Sequence, residues 1–542
     1  MISLSRFNKP TVRVPQVSAI VTKQEPTLRT YNGAPGYERD PKGELFMLGI
    51  ASMWATDTYY EKGTDRDARF KRLVRVLAVS DPEWTAAFLK WLRQDANMRT
   101  ISLVGAAEFV KARLDFVATA KPAESTLIAQ SGLDRKVVNA VLNRADEPGE
   151  FLAYWLATYG RKIPKPVKRG VADAAKRLYT ERNFLKYDTD SHAVRFGDVL
   201  DLTHPKAQDP VQAKLFGYAL DKRHAREVEA PFALKTITYN KAFRLAVAEG
   251  QTGFLTDEWA IRQAGMTWED VLSMAGSKAE KKAMWEALIP SMGIFALVRN
   301  LRNFDQAGVS DEAAQKVIDR LQDPVVIAAS RMFPFRFQAA YLNAPSMRWQ
   351  YPLSKAIEYS TRNVPYLKGS TLILVDQSGS MMSSAAGGLS NMTLAQVASM
   401  FAATVAYRTD KPTLVQYSNT SQQIGVPTGG EALALTRQFW GPSGGTNTAG
   451  ALRAWFKGQD RIILLTDEQH DHFGGHYSID SGIPESTPFY VFNLAGYRPA
   501  GQPTGKKNRY ALGGLTDQAF KLIPMLEAGK DGVWPWEAES VR

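Results

Sequence analysis

The sequence predicts two folded parts, an α-solenoid of HEAT-like helices followed by a doubly wound α/β domain with a mostly parallel sheet. Three observations carry that expectation. Helical patterns succeed one another with short connections from about residue 40 to 360, short apolar runs alternate with helical stretches after 370, and the charge changes character at the same place. A chain of 542 residues also exceeds what one core supports, so more than one unit is required.

The helical part begins after residues 1–35, which are rich in Val, Pro, Thr and Gly without a helical period and read as an extended N-terminal segment. Asp81-Pro82-Glu83 supplies an N-cap, a first-turn proline and a first-turn acid, and Trp84, Phe88, Trp91 and Leu92 then share one face. Thr256 to Gly265 and Thr267 to Gly276 read as two short consecutive helices, each opened by a hydroxyl cap and closed by glycine. Tandem short helices suggest a solenoid, although no strict repeat of fixed period is visible.

The helical pattern stops at 361–370, where the boundary between the two parts is placed. Apolar runs follow at Thr371–Asp376, Thr413–Tyr417, Arg461–Thr466 and Pro488–Asn493, with helical stretches near 391–408, 448–458 and 516–528. Strands alternating with helices form βαβ units, and ligands of such sheets bind beyond the carboxyl ends of the strands.

Composition narrows the chemistry. An apolar fraction of 44% with 12 Trp belongs to a folded chain. The absence of cysteine excludes disulfides and thiolate metal sites, so any metal must be oxygen-bound or held by His. No run of about 18 apolar residues occurs, and MISLSRFNKPTVRVPQVSAIVTKQEP lacks an apolar signal core. The expectation is a cytoplasmic protein without a membrane partner.

Three loops that leave expected strand ends carry oxygen ligands: Asp376-Gln-Ser378-Gly-Ser380, Gly444-Gly-Thr446-Asn447 and Thr466-Asp467-Glu468. Hydroxyls with one or two carboxylates suit Mg²⁺, with Mn²⁺ or Ca²⁺ as alternatives, and leave the cation electrophilic toward a partner's acidic group. This set resembles the metal-ion-dependent adhesion site of von Willebrand A domains. By that resemblance Asp376, Ser378, Ser380 and Thr446 coordinate directly or through water, and Asp467 stands behind them. Two other patterns compete. Gly441-Pro-Ser443-Gly-Gly445 has the nucleophile-elbow spelling, but Arg437–Trp440 reads as a helix tail rather than the strand an elbow needs. His470, His472 and His476 with Asp471 have zinc-ligand types, but their glycine-rich loop reads as a solvated rim.

The formal charge is +12, and residues 1–370 hold 54 basic against 41 acidic side chains, while 371–542 hold 13 against 14. A basic helical part beside a neutral one favours a polyanionic partner, nucleic acid above all; a solvated basic surface is the alternative. Basic residues gather at Arg161-Lys162, Lys165, Lys168-Arg169, Lys176-Arg177 and Arg182, and again at Lys222-Arg223, His224 and Arg226. Of these, Lys168, Arg169, Lys176 and Arg177 are assigned to phosphate contact on charge alone.

From residue 36 onward the chain resembles the TROVE family of Ro RNA-binding autoantigen homologues, in a bacterial or phage-borne form. The likeness rests on Gly36-Tyr37 leading to Thr58-Tyr-Tyr60, Val167-Lys168-Arg169-Gly-Val-Ala-Asp173, Asp198-Val-Leu-Asp-Leu-Thr-His204-Pro-Lys206, Leu297-Val-Arg299-Asn300-Leu301 and Phe333-Pro-Phe335, with the metal motif following in order. The resemblance implies a ring-like solenoid of HEAT-like repeats over 36–366 and a von Willebrand A-like domain over 367–542. It further implies small non-coding Y-like RNA on the basic outer surface and single-stranded 3′ ends of misfolded or structured RNA in a central hole. His204 then corresponds to a histidine used for Y RNA, Lys186 to a nearby lysine, and Tyr187–Arg195 departs from the animal pattern. The expected protein is a monomeric, non-enzymatic RNA scaffold for RNA quality control or processing, with an exoribonuclease as a further partner and no DNA. The alternative is a metal-dependent adaptor that grips a partner's carboxylate.

Overall fold

The computed structural model describes residues 28–29, 35–36, 40–50, 63–121, 131–226, 229–276, 280–332, 334–344, 346–362, 364–385, 389–470, 479–495 and 508–513, together with 523, 527, 534, 536 and 537. Thr58–Tyr60, Phe333, Asp471, His472, His476 and most of the stretch 516–528 lie outside them. The chain forms two compact units, one of residues 74–360 and one that gathers 1–73 with 361–542. The divisions thus fall near 73 and 360, and the N-terminal helix Pro41–Ile50 belongs to the second unit, where Phe46 meets Trp534 with ring centroids 5.3 Å apart.

The first unit is helical among its described residues, a HEAT-like solenoid built as the amphipathic patterns require. Helix Pro82–Gln94 starts where Asp81 accepts the Trp84 N–H at 3.3 Å, and it buries Trp84, Phe88, Trp91 and Leu92. Helix Trp268–Ala275 opens on a capping box between Thr267 and Asp270. The preceding helix differs from expectation. It spans Glu258–Gln263 and is capped by Asp257, because Thr256 closes the 3₁₀ turn Thr252–Thr256 and the carboxylate one residue later takes the Ala260 N–H at 3.0 Å. Helices Leu133–Val141 and Lys165–Leu178 approach so closely that a Cβ at Gly170 would lie 2.7 Å from Val138 Cβ.

A buried carboxylate joins these helices. Glu147 is fully buried and accepts from Arg93 Nη2 at 2.6 Å, Arg99 Nε at 3.2 Å and the backbone N–H groups of Asn143 and Arg144 at 2.6 and 2.9 Å. Arg93 is itself buried, so the pair is compensated only while both members remain. Later in the unit, Arg331 Nη1 donates to Gln94 O at 3.1 Å, a contact 237 residues apart in sequence.

The second unit is built on a six-stranded sheet, β1 Leu367–Asp376, β2 Thr409–Tyr417, β3 Ser421–Ile424, β4 Arg461–Thr466, β5 Phe489–Asn493 and β6 Arg509–Gly513, in the order β6-β5-β4-β1-β2-β3. All pairs are parallel except β2–β3. The four strands expected from apolar runs are present, and β3 and β6, which the sequence reading did not anticipate, form the two edges. Residues 371–376 of β1 and all of β4 and β5 are buried, as strands covered on both faces must be. Helices Leu394–Tyr407 and Thr448–Trp455 make the expected crossovers.

Glu147→Ala leaves the buried Arg93 without a counter-charge. The expected loss is about 3–5 kcal/mol, read as a fall in the urea midpoint of the helical unit; a loss under about 1 kcal/mol would contradict the compensated-pair account.

Candidate metal centre and basic helical face

Asp376 is the last residue of β1, and Thr466 ends β4 beside it, so the parallel register brings two loops to one edge. The Thr466 hydroxyl donates to Asp376 Oδ2 at 2.6 Å, and the Ser378 N–H donates to Oδ1 at 2.8 Å. The Ser378 and Ser380 hydroxyls lie 3.1 Å apart on the following 3₁₀ turn. Asp467 is fully buried; the Gln469 N–H donates to its Oδ1 at 3.1 Å, and its Oδ2 is buried without a hydrogen-bond donor.

The third loop is tied to the first through the backbone. Ser443 N donates to Gln377 O and Gly379 N to Gly444 O, both at 2.9 Å, while Asn447 N donates to Ser418 O just beyond β2. Gly444 has φ +77°, and a Cβ there would come within 2.8 Å of the Asn419 side chain, whose Oδ1 accepts the Gly445 N–H. These ties carry the buried Thr446 to the same edge, so the structure assembles all five expected residues there. No strand precedes Ser443; helix Ala432–Thr436 and a loop do, so the elbow geometry is not present.

Burial holds both carboxyls above the usual range, and the charge of Asp467 raises Asp376 further; the Ser380 hydroxyl offsets part of the effect on Asp467. Among the described residues no three His, Cys, Asp or Glu side chains form a metal cage, so a cation here would depend on the hydroxyls. Two repelling buried carboxylates, one with a donor-less oxygen, beside three buried hydroxyls fit a hard divalent cation.

Sequence reasoning placed Thr466 and Glu468 in the third loop without giving either a role, and it read His470 as solvated. Thr466 links the two loops, and Glu468, fully buried, adopts φ +62°, a left-handed conformation costly for a side chain of its size. His470 corrects the expected solvated rim: it is 1% exposed, and Thr448 Oγ1 lies 2.7 Å from its Nδ1 while also donating to the Tyr417 hydroxyl at 3.1 Å. Burial pushes the imidazole down to about 3.

In the helical unit the structure separates the two basic clusters. Lys168, Arg169 and Lys176 lie on helix Lys165–Leu178, Arg169 exposed and the two lysines half-buried, and their side chains meet no acid among the described residues. Arg177, by contrast, is spent internally: its Nη2 donates to Leu142 O at 2.6 Å and to Asn139 O at 3.1 Å. The second cluster is largely paired, with Arg223 on Asp198 and His224 Nε2 on Asp201 at 2.7 Å, and Arg226 on Asp221 at 2.8 Å, while exposed Lys222 lies over the Phe184 ring at 5.4 Å. His204 caps helix Phe196–Thr203 in a left-handed conformation and exposes its ring. Lys186, exposed on helix Glu181–Tyr187, lies over the Tyr187 ring at 5.1 Å. The departing stretch Tyr187–Arg195 absorbs its own charge through Arg195, which binds Asp188 at 2.7 Å and Asp190 at 2.5 Å.

Residues 255–367 match the TROVE domain family. The chain is 25% identical over 386 residues to telomerase protein component 1 of Mus musculus, a match covering 61% of this chain and 14% of that protein. It is 39% identical over 77 residues to the Rattus norvegicus protein of the same name, covering 14% of this chain and 3% of the relative. The chain therefore spans a small part of these relatives' length. The crystal structure of the Ro (RSR) protein of Deinococcus radiodurans superposes with a TM-score of 0.63 at 17% identity, over 91% of this chain and 100% of that one, which establishes a shared fold.

A buried, neutral His470 makes stability pH-dependent. The unfolded chain takes up a proton near pH 6.5 while the folded one resists it to about 3, so the stability is complete above 6.5 and falls away as the pH drops below it. At pH 5 the cost should be about 2 kcal/mol, and His470→Gln should flatten that slope in denaturant melts at pH 5 and 7.

Proposed function

We propose, from the premise that the chain is a Ro/TROVE family member, that it is an RNA-binding protein whose helical unit takes the RNA. The observation that carries this is the set of cations without acidic partners, Lys168, Arg169 and Lys176, on helix Lys165–Leu178, with exposed Lys186 and His204 on the two helices that follow it in the chain. Where neighbouring arginines are consumed by internal pairs, these remain for phosphate. The finer reading is a scaffold for small non-coding Y-like RNA and for single-stranded ends of misfolded or structured RNA in the central hole implied by the resemblance. It serves RNA quality control or processing, beside an exoribonuclease, without catalysis of its own. No helix among the described residues is long and apolar enough to cross a membrane, and a cytoplasmic location suits this reading.

For the second unit, the buried pair Asp376 and Asp467 with Ser378, Ser380 and Thr446 supports a resident Mg²⁺ site. Bound there, the cation would supply Lewis acidity, and the small number of carboxylates would leave it attractive to an acidic group of a protein partner. That donor set favours a second, compatible reading of this unit as an adaptor.

Binding of a small stem-loop RNA should weaken steeply with salt, and Lys168→Glu with Arg169→Glu should reduce affinity at least tenfold and lower the salt slope by about two. Asp376→Ala should leave that affinity within about twofold. A wild-type protein that binds no stem-loop RNA at low salt overturns the proposal.

Millimolar Mg²⁺ should raise the thermal midpoint of the wild type, by about 2.7 kcal/mol of stability at a hundredfold excess over its dissociation constant. Asp467→Asn should remove that response and stabilise the metal-free protein by relieving the carboxylate repulsion. Equal midpoints with Mg²⁺ and with chelator would refute the metal site.

A further inference from the structure

The helical unit carries a pair of large aromatic side chains that its core does not use. Trp259 is 63% exposed and Tyr239 47% exposed, and their rings meet edge to face with centroids 6.3 Å apart. Leaving an indole in water forgoes the burial that elsewhere in this unit places Trp155 and Trp349 in the core. The contact with Tyr239 steadies the Trp259 ring while leaving it open to a flat partner.

Cations surround the pair. Lys235 precedes Tyr239 by one helical turn on Lys235–Ala248, and Arg262 follows Trp259 by three residues on Glu258–Gln263, so each shares a face with its aromatic neighbour. Both are exposed, and neither side chain has an acidic partner among the described residues. Helix Glu181–Tyr187 closes the patch on one side. Arg182 Nη2 donates to Arg262 O at 3.4 Å, the Ile237 N–H donates to Glu181 at 3.0 Å, and a Cβ at Gly265 would come within 3.9 Å of both Leu185 and Arg182. Arg182 and Lys186, one turn apart, face the same way. A continuous strip therefore runs from Lys186 through Arg182 and Arg262 to an exposed indole.

Alternating cations and open aromatic rings recognise a single polynucleotide strand, with the phosphates on the cations and a base stacked on the ring. A duplex hides its base faces and cannot use the indole. We infer that Trp259 and Tyr239, with Lys235, Arg262, Arg182 and Lys186, form a stacking platform for a single-stranded RNA segment. The inference rests on the RNA-binding reading above and adds to it a site on the helical unit and the side chains that would stack on a base.

The test uses the full chain with two probes, a fluorescein-labelled dodecamer of uridine and a twelve-base-pair RNA duplex. Trp259→Ala should weaken the dodecamer roughly tenfold while leaving the duplex unchanged, and Trp259→Phe should retain most of the affinity because a ring remains. Arg262→Glu should weaken the dodecamer and reduce its salt slope. Dodecamer binding should also quench a component of tryptophan emission that is absent in Trp259→Phe. Wild-type affinity for the dodecamer in Trp259→Ala, or equal losses for both probes, would overturn the platform. So would a concentration-dependent dimer that Trp259→Ala abolishes, since the face would then serve a second copy. If the wild type takes the duplex alone, the platform falls and the RNA-binding reading stands; if it takes neither probe, both fall.

Discussion

The parallel pairing of β1 with β4 is the constraint on which the C-terminal unit depends. It places Asp376 and Asp467 at the carboxyl end of the two central strands, both fully buried, and the Thr466 hydroxyl beside Asp467 donates to Asp376 at 2.6 Å. Everything else at that end accommodates this crowding of charge. The Ser378 amide and the Gln469 amide each satisfy one carboxylate oxygen, and the Gly444 turn brings a third loop close by accepting a conformation that only glycine adopts cheaply. A folded protein tolerates two buried like charges only if protons or a cation compensate them, and the raised Asp376 and Asp467 carboxyls reflect that constraint.

Much of this was legible in the sequence because its signals are local. Four buried strands announced themselves as apolar runs, the Asp81-Pro82 start fixed one helix end, and the ligand loops followed strand ends directly. What escaped depended on distant partners. Edge strands β3 and β6 have weaker apolar character, since an edge need not be buried on both faces. His470 looked solvated among glycines, and only the tertiary position of Thr448 and Tyr417 turns it inward. The cap at Asp257 rather than Thr256 was undecidable locally, because both side chains can accept the first-turn amide.

Charge was the least legible property. Counting Lys and Arg identified two basic clusters of similar appearance, yet Asp198, Asp201 and Asp221 pair all of one but Lys222, while the helix from Lys165 to Leu178 keeps most of the other. Arg177 shows the same effect for one residue, since its guanidinium is committed to carbonyls of the neighbouring helix. Net charge therefore gives only a sign, and pairing decides which cations stay exposed.

The order in which the sheet's strands occur along the chain has a consequence for biogenesis. Central strand β1 is made first, but its neighbour β4 lies about 90 residues later, and the Thr466 hydroxyl that fixes Asp376 arrives with it. Closing so long a loop is slow and entropically costly, and the pairing repays that cost only when it completes. The two carboxylates therefore come together, and repel, only once β4 has docked on β1. A chain that stops before Arg461 can carry Asp376 but cannot assemble the buried carboxylate pair.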